Sequence, residues 1–332
     1  MKAILHYQYG PPEVLQLVAL NKPTPKPNEI LVKVMASTVN RTDCARLRAK
    51  PFIMRFFTGL SKPKKPVPGT DFAGIIECVG YNVSLFKAGD RVFGFDDGGI
   101  SSKAEYMTIS VGKAIGIIPS QINYEVAAAS MEGAHYAYNF INKVKLEKGQ
   151  RILVNGASGA IGSAMVQLLK YMEIEVTAVC DTRRIPLLKT LGADRIIDYS
   201  KEDFTKTGDH YHYIFDASGK SSFAKCKPLL EKGGAYISSE LGKNSQNPFL
   251  ALLTPLSGDK TVIFPFPTNI KRSLELIKKL MDEGKFKPVI DRKYPLEKIS
   301  EAYQYVEKGD KTGNVLIVMD GQELSPEPFE NM

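Results

Sequence analysis

The sequence predicts an α/β chain in which an all-β barrel precedes a doubly wound parallel sheet, and three observations carry that prediction. Over residues 1–120, short apolar runs are separated by Pro and Gly, the pattern of a compact, largely antiparallel barrel. Further on, Ile152 to Val154, Val176 to Val179, Arg195 to Ile197, Tyr213 to Phe215, Tyr236 to Ser238 and Val262 to Phe264 alternate with helical or turn-rich segments. Strands alternating with helices make crossover units and a parallel sheet, with a ligand site at the carboxyl ends of its strands. Between these patterns, Arg151-Ile-Leu-Val-Asn-Gly-Ala-Ser-Gly-Ala-Ile-Gly162 runs from a buried-strand signature through three glycines into a helix. At 332 residues the chain exceeds one average core. The expected divisions are 1–120, 121–266, and a segment 267–332 that returns to the first domain.

In chain order, Pro23, Pro25 and Pro27 mark a turn before a strand that starts near Glu29 and includes Ile30 to Val34. Arg41 to Arg48 has helical character. The apolar cluster Phe52 to Phe57 is expected in the core, since large apolar side chains are usually buried; the other reading is a lid over a pocket. Ser61 to Lys65 is basic and interrupted by Pro63, and reads as an exposed loop. Phe72 to Val79, Val92 to Phe95 and Tyr106 to Ile109 complete the barrel's strand candidates, and helical spacing returns over Val126 to Val144.

After the glycine turn, Ile161, Met165, Leu168 and Met172 recur at three- and four-residue steps, which gives one apolar helix face. Near the end come a helix at Ile270 to Met281, the segment Pro288 to Tyr294, a helix near Glu297 to Val306 and a strand at Val315 to Val318. The last dozen residues read as a loosely held tail.

Composition narrows the classes. Hydrophobic residues make up 43%, ample for two cores. There is no apolar run of about 18 residues, and the first residues begin like a strand, so a cytoplasmic location is expected. Cys44, Cys78, Cys180 and Cys226 form no Cys-x-x-Cys pair, which argues against a disulfide framework or zinc knuckle and for reduced core thiols. The formal charge of +8 is compatible with anionic partners. No continuous basic stripe or basic amphipathic helix accompanies it, and a solvated surface is its ordinary meaning.

The glycine turn is where function first becomes legible. Its glycines let the backbone turn tightly and approach a pyrophosphate, which the amides and dipole at a helix N-terminus can bind. Gly156, Ala157, Ser158, Gly159, Ala160, Ile161 and Gly162 are therefore cofactor-binding candidates. Ala217 and Ser218 after the fourth strand, and Leu241 and Gly242 after the fifth, join them by strand-end position. Asp181 follows the second strand, close to the ~20-residue spacing at which an acid binds the adenine ribose in NAD sites. Arg183 and Arg184 come directly after it, and guanidinium groups suit a 2′-phosphate.

Five blocks, Pro68-Gly-Thr-Asp-Phe-Ala-Gly74, Gly89-Asp-Arg-Val-Phe-Gly94, Asn155-Gly-Ala-Ser-Gly-Ala-Ile-Gly162, Leu191-Gly-Ala-Asp-Arg-Ile-Ile-Asp-Tyr199 and Lys311-Thr-Gly-Asn-Val-Leu-Ile317, occur in one order. On them the chain resembles the zinc-independent medium-chain dehydrogenase/reductase family, specifically its quinone-reductase-like members, over essentially its whole length. The resemblance implies a GroES-like barrel, a central Rossmann domain, and a cleft in which NAD(P)H meets its substrate. Zinc-containing relatives carry Cys at Asn40, His at Thr70 and Cys near Ala127 to Met131, and the four-cysteine zinc loop has no counterpart in Phe86 to Tyr106; no zinc is expected. NADPH-using members resemble this chain in a basic residue near Arg183 or Arg184 and in Tyr199, so NADPH is favoured over NADH. Gly133 and His135 fall where the family has a Gly-x-Thr segment near the nicotinamide; here the segment reads Gly133-Ala-His-Tyr-Ala137.

His135 is a catalytic candidate as a proton donor, because an unperturbed imidazole titrates near neutrality; a packed core histidine is its other reading. Asn40 and Asp43 are candidates for substrate activation, the asparagine amide bonding a carbonyl oxygen and the aspartate orienting it. Their alternative role is a local helix cap. The function these features imply is a zinc-free NAD(P)H-dependent reductase of quinones or α,β-unsaturated carbonyls. Two rivals remain open, a metal-free alcohol or aldehyde oxidoreductase and a non-catalytic nucleotide-binding or RNA-binding scaffold. The edge strand near Thr261 to Phe264 would pair across a homodimer in relatives, so a homodimer is expected.

Overall fold

The computed structural model describes residues 1–52 and 54–319; the expected C-terminal tail lies outside the described residues. The chain divides into a first unit, Met1–Glu132 with the residues from Ile270 onward, and a second unit, Gly133–Asn269. Both divisions fall later than residues 121 and 267. Helix Tyr124–Ala129 packs on strands Glu29–Val39 and Asp71–Val79 of the first unit, burying Ala127, Ala128 and Ala129, and so belongs with the barrel.

Glu29–Val39 is the spine of the first unit. Along one edge its early residues pair antiparallel with Tyr106–Ser110 and its later ones with Asn314–Val318; along the other it pairs with Asp71–Val79. Register shifts at Leu31/Val32 and Val34/Ala36 bend the strand, as bulges do. Alternation then sorts its side chains. Ile30, Val32 and Val34 pack with Phe72, Ile76, Val92 and Met107, whereas Val39 joins Leu47, Tyr303, Val306, Val315 and Ile317. The expected return of the C-terminal strand is seen in the pairing of Val315 with Val39. Helix Ile270–Asp282 turns Ser273, Leu274, Ile277, Leu280 and Met281 inward at helical spacing.

The second unit is a six-stranded sheet in the order Arg195–Asp198, Glu175–Cys180, Arg151–Asn155, Tyr211–Asp216, Leu230–Ser238, Thr261–Ile263. Every pairing is parallel. The order reverses beside Arg151–Asn155, the switch point at which doubly wound sheets bind their ligands. Helix Ala160–Tyr171 buries more than the expected stripe, since Gly162, Ser163, Ala164, Met165, Val166, Leu168 and Leu169 are all covered. Thr261–Ile263 is an edge strand, as expected. Among the described residues no helix is long and apolar enough to cross a membrane.

Two expectations need correction. Phe52 and Phe56 are exposed by 67% and 62% and do not enter the core. The short helix Met54–Thr58, which carries Phe56, lies in a proline-rich excursion; the Phe52 and Phe56 rings meet edge to face at 6.2 Å, with the Arg55 guanidinium over Phe52 and Tyr9. Phe52 thus finds a cation–π contact and both rings find each other without entering the core. Cys78 is exposed, whereas Cys44, Cys180 and Cys226 are buried free thiols.

Candidate active site

In the second unit the turn after Arg151–Asn155 is made by close backbone approach. A Cβ on Gly162 would lie 2.1 Å from the Gly156 carbonyl oxygen and 2.7 Å from Ala157 Cα, and one on Gly133 would lie 2.7 Å from the Ala160 carbonyl oxygen. Gly156 has φ +79°. Ala157 is buried and its N–H donates to the Val179 carbonyl, while Ser158 is half-buried. At Gly159 the space is open, the nearest atom to a built Cβ being Gly156 O at 3.6 Å. Gly159 is the N-cap of the helix that begins Ala160, Ile161, Gly162, and no side chain caps it. Its first N–H groups are thus the orphan donors that an anion satisfies.

The adjoining loops are held by one carboxylate. Asp216, fully buried, accepts at Oδ1 from Asn155 Nδ2 (3.0 Å), Ser218 N (3.1 Å), Ser218 Oγ (2.9 Å) and Gly219 N (2.9 Å), and at Oδ2 from Ser221 N (3.2 Å) and Tyr236 Oη (2.8 Å). Ala217 N donates to the Asn155 carbonyl. The loop after the fifth strand carries Leu241 and Gly242, the latter at φ +72°, and is pinned by Asn247 Nδ2 donating to Glu240 O (2.8 Å).

Asp181 ends the second strand, buried, with Oδ1 lacking any partner. Arg184 pairs with its Oδ2 and Arg183 reaches the same oxygen at 3.3 Å. The two arginines differ in exposure, 13% for the Arg184 side chain and 76% for Arg183. Tyr199 comes alongside through its N–H on the Cys180 carbonyl, and burial and the Asp181 charge raise its phenol above the usual range. The orphaned carboxylate oxygen, the uncapped helix and the open space at Gly159 together fit a dinucleotide.

His135 sits buried in helix Glu132–Ile141. Asn139 Nδ2 lies 3.3 Å from its Nε2, and burial pushes the imidazole down to about 4. Burial therefore works against the protonated imidazole that a proton donor at neutral pH would need.

In the first unit Asn40 and Asp43 belong to a buried polar network that the sequence did not reveal. Asn40 precedes helix Arg41–Arg48, and its N–H donates to Asp43 Oδ2 at 2.9 Å, half of a capping box. The Asn40 side chain donates to Thr38 Oγ1 (2.8 Å) and accepts from Lys311 Nζ (3.2 Å). Thr38 in turn bonds Asp71, through its hydroxyl to Oδ2 and its N–H to Oδ1. Buried Lys103 donates to Ser37 Oγ and the Thr38 carbonyl, and Thr70 Oγ1 to Glu132 Oε2 (2.8 Å). Burial raises the carboxyls of Asp71 and Glu132 above their ordinary range. Among the described residues no group of three or more His, Cys, Asp or Glu is placed to hold a metal ion.

Residues 26–138 match the alcohol dehydrogenase GroES-like domain and residues 191–317 the zinc-binding dehydrogenase domain. The chain is 32% identical to 2-methylene-furan-3-one reductase of Solanum lycopersicum, over 96% of this chain and 79% of that protein. It is 30% identical to the chloroplast envelope quinone oxidoreductase homolog of Arabidopsis thaliana, over 96% and 98%. The fold is that of Escherichia coli quinone oxidoreductase, solved with NADPH, at a TM-score of 0.80 and 22% identity over 96% of this chain and all of that one. The chain therefore belongs to the medium-chain dehydrogenase/reductase family, among its quinone-oxidoreductase-like members.

Proposed function

We propose that the protein is an NADPH-dependent, zinc-free reductase of quinones or α,β-unsaturated carbonyls. The observation that carries this reading is the turn Asn155 to Gly162 with Asp181 beside it, an uncapped helix start next to open space and a buried carboxylate oxygen awaiting a donor. The helix N–H groups would hold the pyrophosphate and Asp181 Oδ1 a ribose hydroxyl, with Ser218 and Gly242 on neighbouring strand ends. When bound, the nicotinamide supplies a hydride to an electron-poor carbon. The chain's part is to stabilise the charge that then develops on the substrate's oxygen, and the Asn40 amide is the donor for it.

NADPH oxidation with an enone or quinone, insensitive to a chelator, is the expected result. Absence of turnover across a panel of both acceptor classes, or loss of turnover on chelation, overturns this reading.

Arg184 neutralises Asp181 from within, which leaves the exposed Arg183 guanidinium, at the edge of the same carboxylate, to meet a 2′-phosphate. NADPH is expected to bind about tenfold tighter than NADH, ~1.4 kcal/mol, and Arg183→Glu to remove the preference. Equal melting shifts with the two nucleotides in the unmodified protein refute the assignment.

The reading extends to a homodimer. The edge strand Thr261–Ile263 offers an unpaired ladder, and Phe249, Leu252, Leu253 and Leu256 form an exposed stripe at helical spacing beside it. Sedimentation should give twice the chain mass at micromolar concentration, and a monomer there would refute it.

A further inference from the structure

We infer that Lys311 is a positioning residue for the reduction: its ammonium group, donating to Asn40 Oδ1, reinforces the amide orientation set with Thr38 and polarises the N–H left for the substrate's oxygen. This rests on the reductase reading above. Donor and acceptor capacity carries it. An ammonium can only donate, so the Asn40 atom 3.2 Å from Lys311 Nζ is Oδ1. Nδ2 then faces Thr38 Oγ1 at 2.8 Å. The Thr38 hydroxyl has one hydrogen and gives it to Asp71 Oδ2, so toward Asn40 it accepts. At the far end Lys103 Nζ donates to Ser37 Oγ (2.7 Å), which bonds Asp71 Oδ1 (3.0 Å).

The two arms of the network therefore each run from a lysine donor to the Asp71 carboxylate, on which they converge. One hydrogen of Asn40 Nδ2 is engaged by Thr38, and the other is the donor a substrate carbonyl would use. Once Lys311 loses its proton, Asn40 Oδ1 loses its charged donor, while Thr38 still accepts from Nδ2. The amide keeps its orientation but is less polarised, and its remaining N–H becomes a weaker donor to the developing oxyanion.

The charged and titratable groups that bear on Lys311 are Glu132, Asp291, Arg41 and Cys44. Asp291 Oδ2 is itself engaged by Tyr305 Oη (2.7 Å) and Thr312 N (2.9 Å). Burial lowers Lys311 to about 8 against the opposing pull of Glu132 and Asp291. The ammonium is present at neutral pH and is lost as pH rises through that value.

Turnover of NADPH and an enone by the unmodified protein first establishes the reductase reading; its absence defeats that reading and leaves Lys311 to the nucleotide-free measurement below. With turnover in hand, Lys311→Met should lower kcat about 100-fold with little change in KM. Lys311→Arg, an ammonium-like donor that does not titrate, should restore most of kcat and remove the alkaline fall near pH 8.

Independently of turnover and nucleotide, the Asn40 side-chain amide resonance, assigned by its loss in Asn40→Ala, should move as pH passes through about 8 in the unmodified protein and stay still in Lys311→Arg. A full kcat in Lys311→Met, an alkaline fall unchanged in Lys311→Arg, or an Asn40 resonance indifferent to pH overturns the inference. Should Lys311→Met fail to fold, the arginine variant and the resonance decide alone.

Discussion

Replacing Gly162 with alanine is expected to abolish the NADPH-induced rise in melting temperature and to cost the second unit about 1–3 kcal/mol. The atoms that a Cβ would meet, Gly156 O at 2.1 Å and Ala157 Cα at 2.7 Å, are backbone, so no side chain can swing aside. The helix would have to retreat from the turn, and its first N–H groups would retreat with it. Gly159→Ala separates the two consequences. Its Cβ meets only Gly156 O at 3.6 Å, and φ there is −75°, so the unliganded protein should melt as before. The added methyl stands in the open space beside the helix start, and the nucleotide shift should shrink. If Gly162→Ala binds NADPH within about tenfold of the unmodified protein, the turn is not the phosphate cradle.

The same turn explains why so much of the second unit was legible in the sequence. Strand, glycines and helix are contiguous over Arg151 to Tyr171, and a parallel sheet buried on both faces leaves near-continuous apolar runs that any window of the chain reports. Asp181, too, stood out by its spacing from Gly162. Its partnership with Arg184 did not, because two neighbouring arginines have the same sequence signature whether they face the carboxylate or water.

The first unit's polar network was harder to see for a more basic reason. Thr38 and Asp71 meet through the register of Glu29–Val39 with Asp71–Val79, Lys311 comes in just ahead of Asn314–Val318, and Lys103 joins from the loop before Tyr106–Ser110, and register is a long-range property. Lys103 in particular reads as a surface residue and is fully buried. Phe52 and Phe56 mislead in the opposite direction, since the rule that large apolar side chains are inside runs one way only.

Asp216→Ala should be the most damaging change outside the glycine turn. The carboxylate accepts six hydrogen bonds among the described residues, from the loop Ser218 to Ser221 and from two strands. Its removal leaves the Tyr236 hydroxyl and the Gly219 and Ser221 N–H groups without an acceptor. Each buried donor left unsatisfied costs about 1–3 kcal/mol; water entering the vacated space recovers part of that, so a net loss of about 3 kcal/mol, or about 10 °C in melting temperature, is expected. Burial of Tyr236 and the charge of Asp216 hold the phenol protonated, so this hydrogen bond is kept as pH rises. Asp216→Asn keeps the shape but turns one oxygen into a donor, directed at groups that are themselves donors, and should fall between the two. Nucleotide affinity should drop in the same order, because Ala217, Ser218 and Gly219 take their positions from this carboxylate. A melt within about 1 kcal/mol of the unmodified protein in Asp216→Ala would show that the loop is held by its backbone alone.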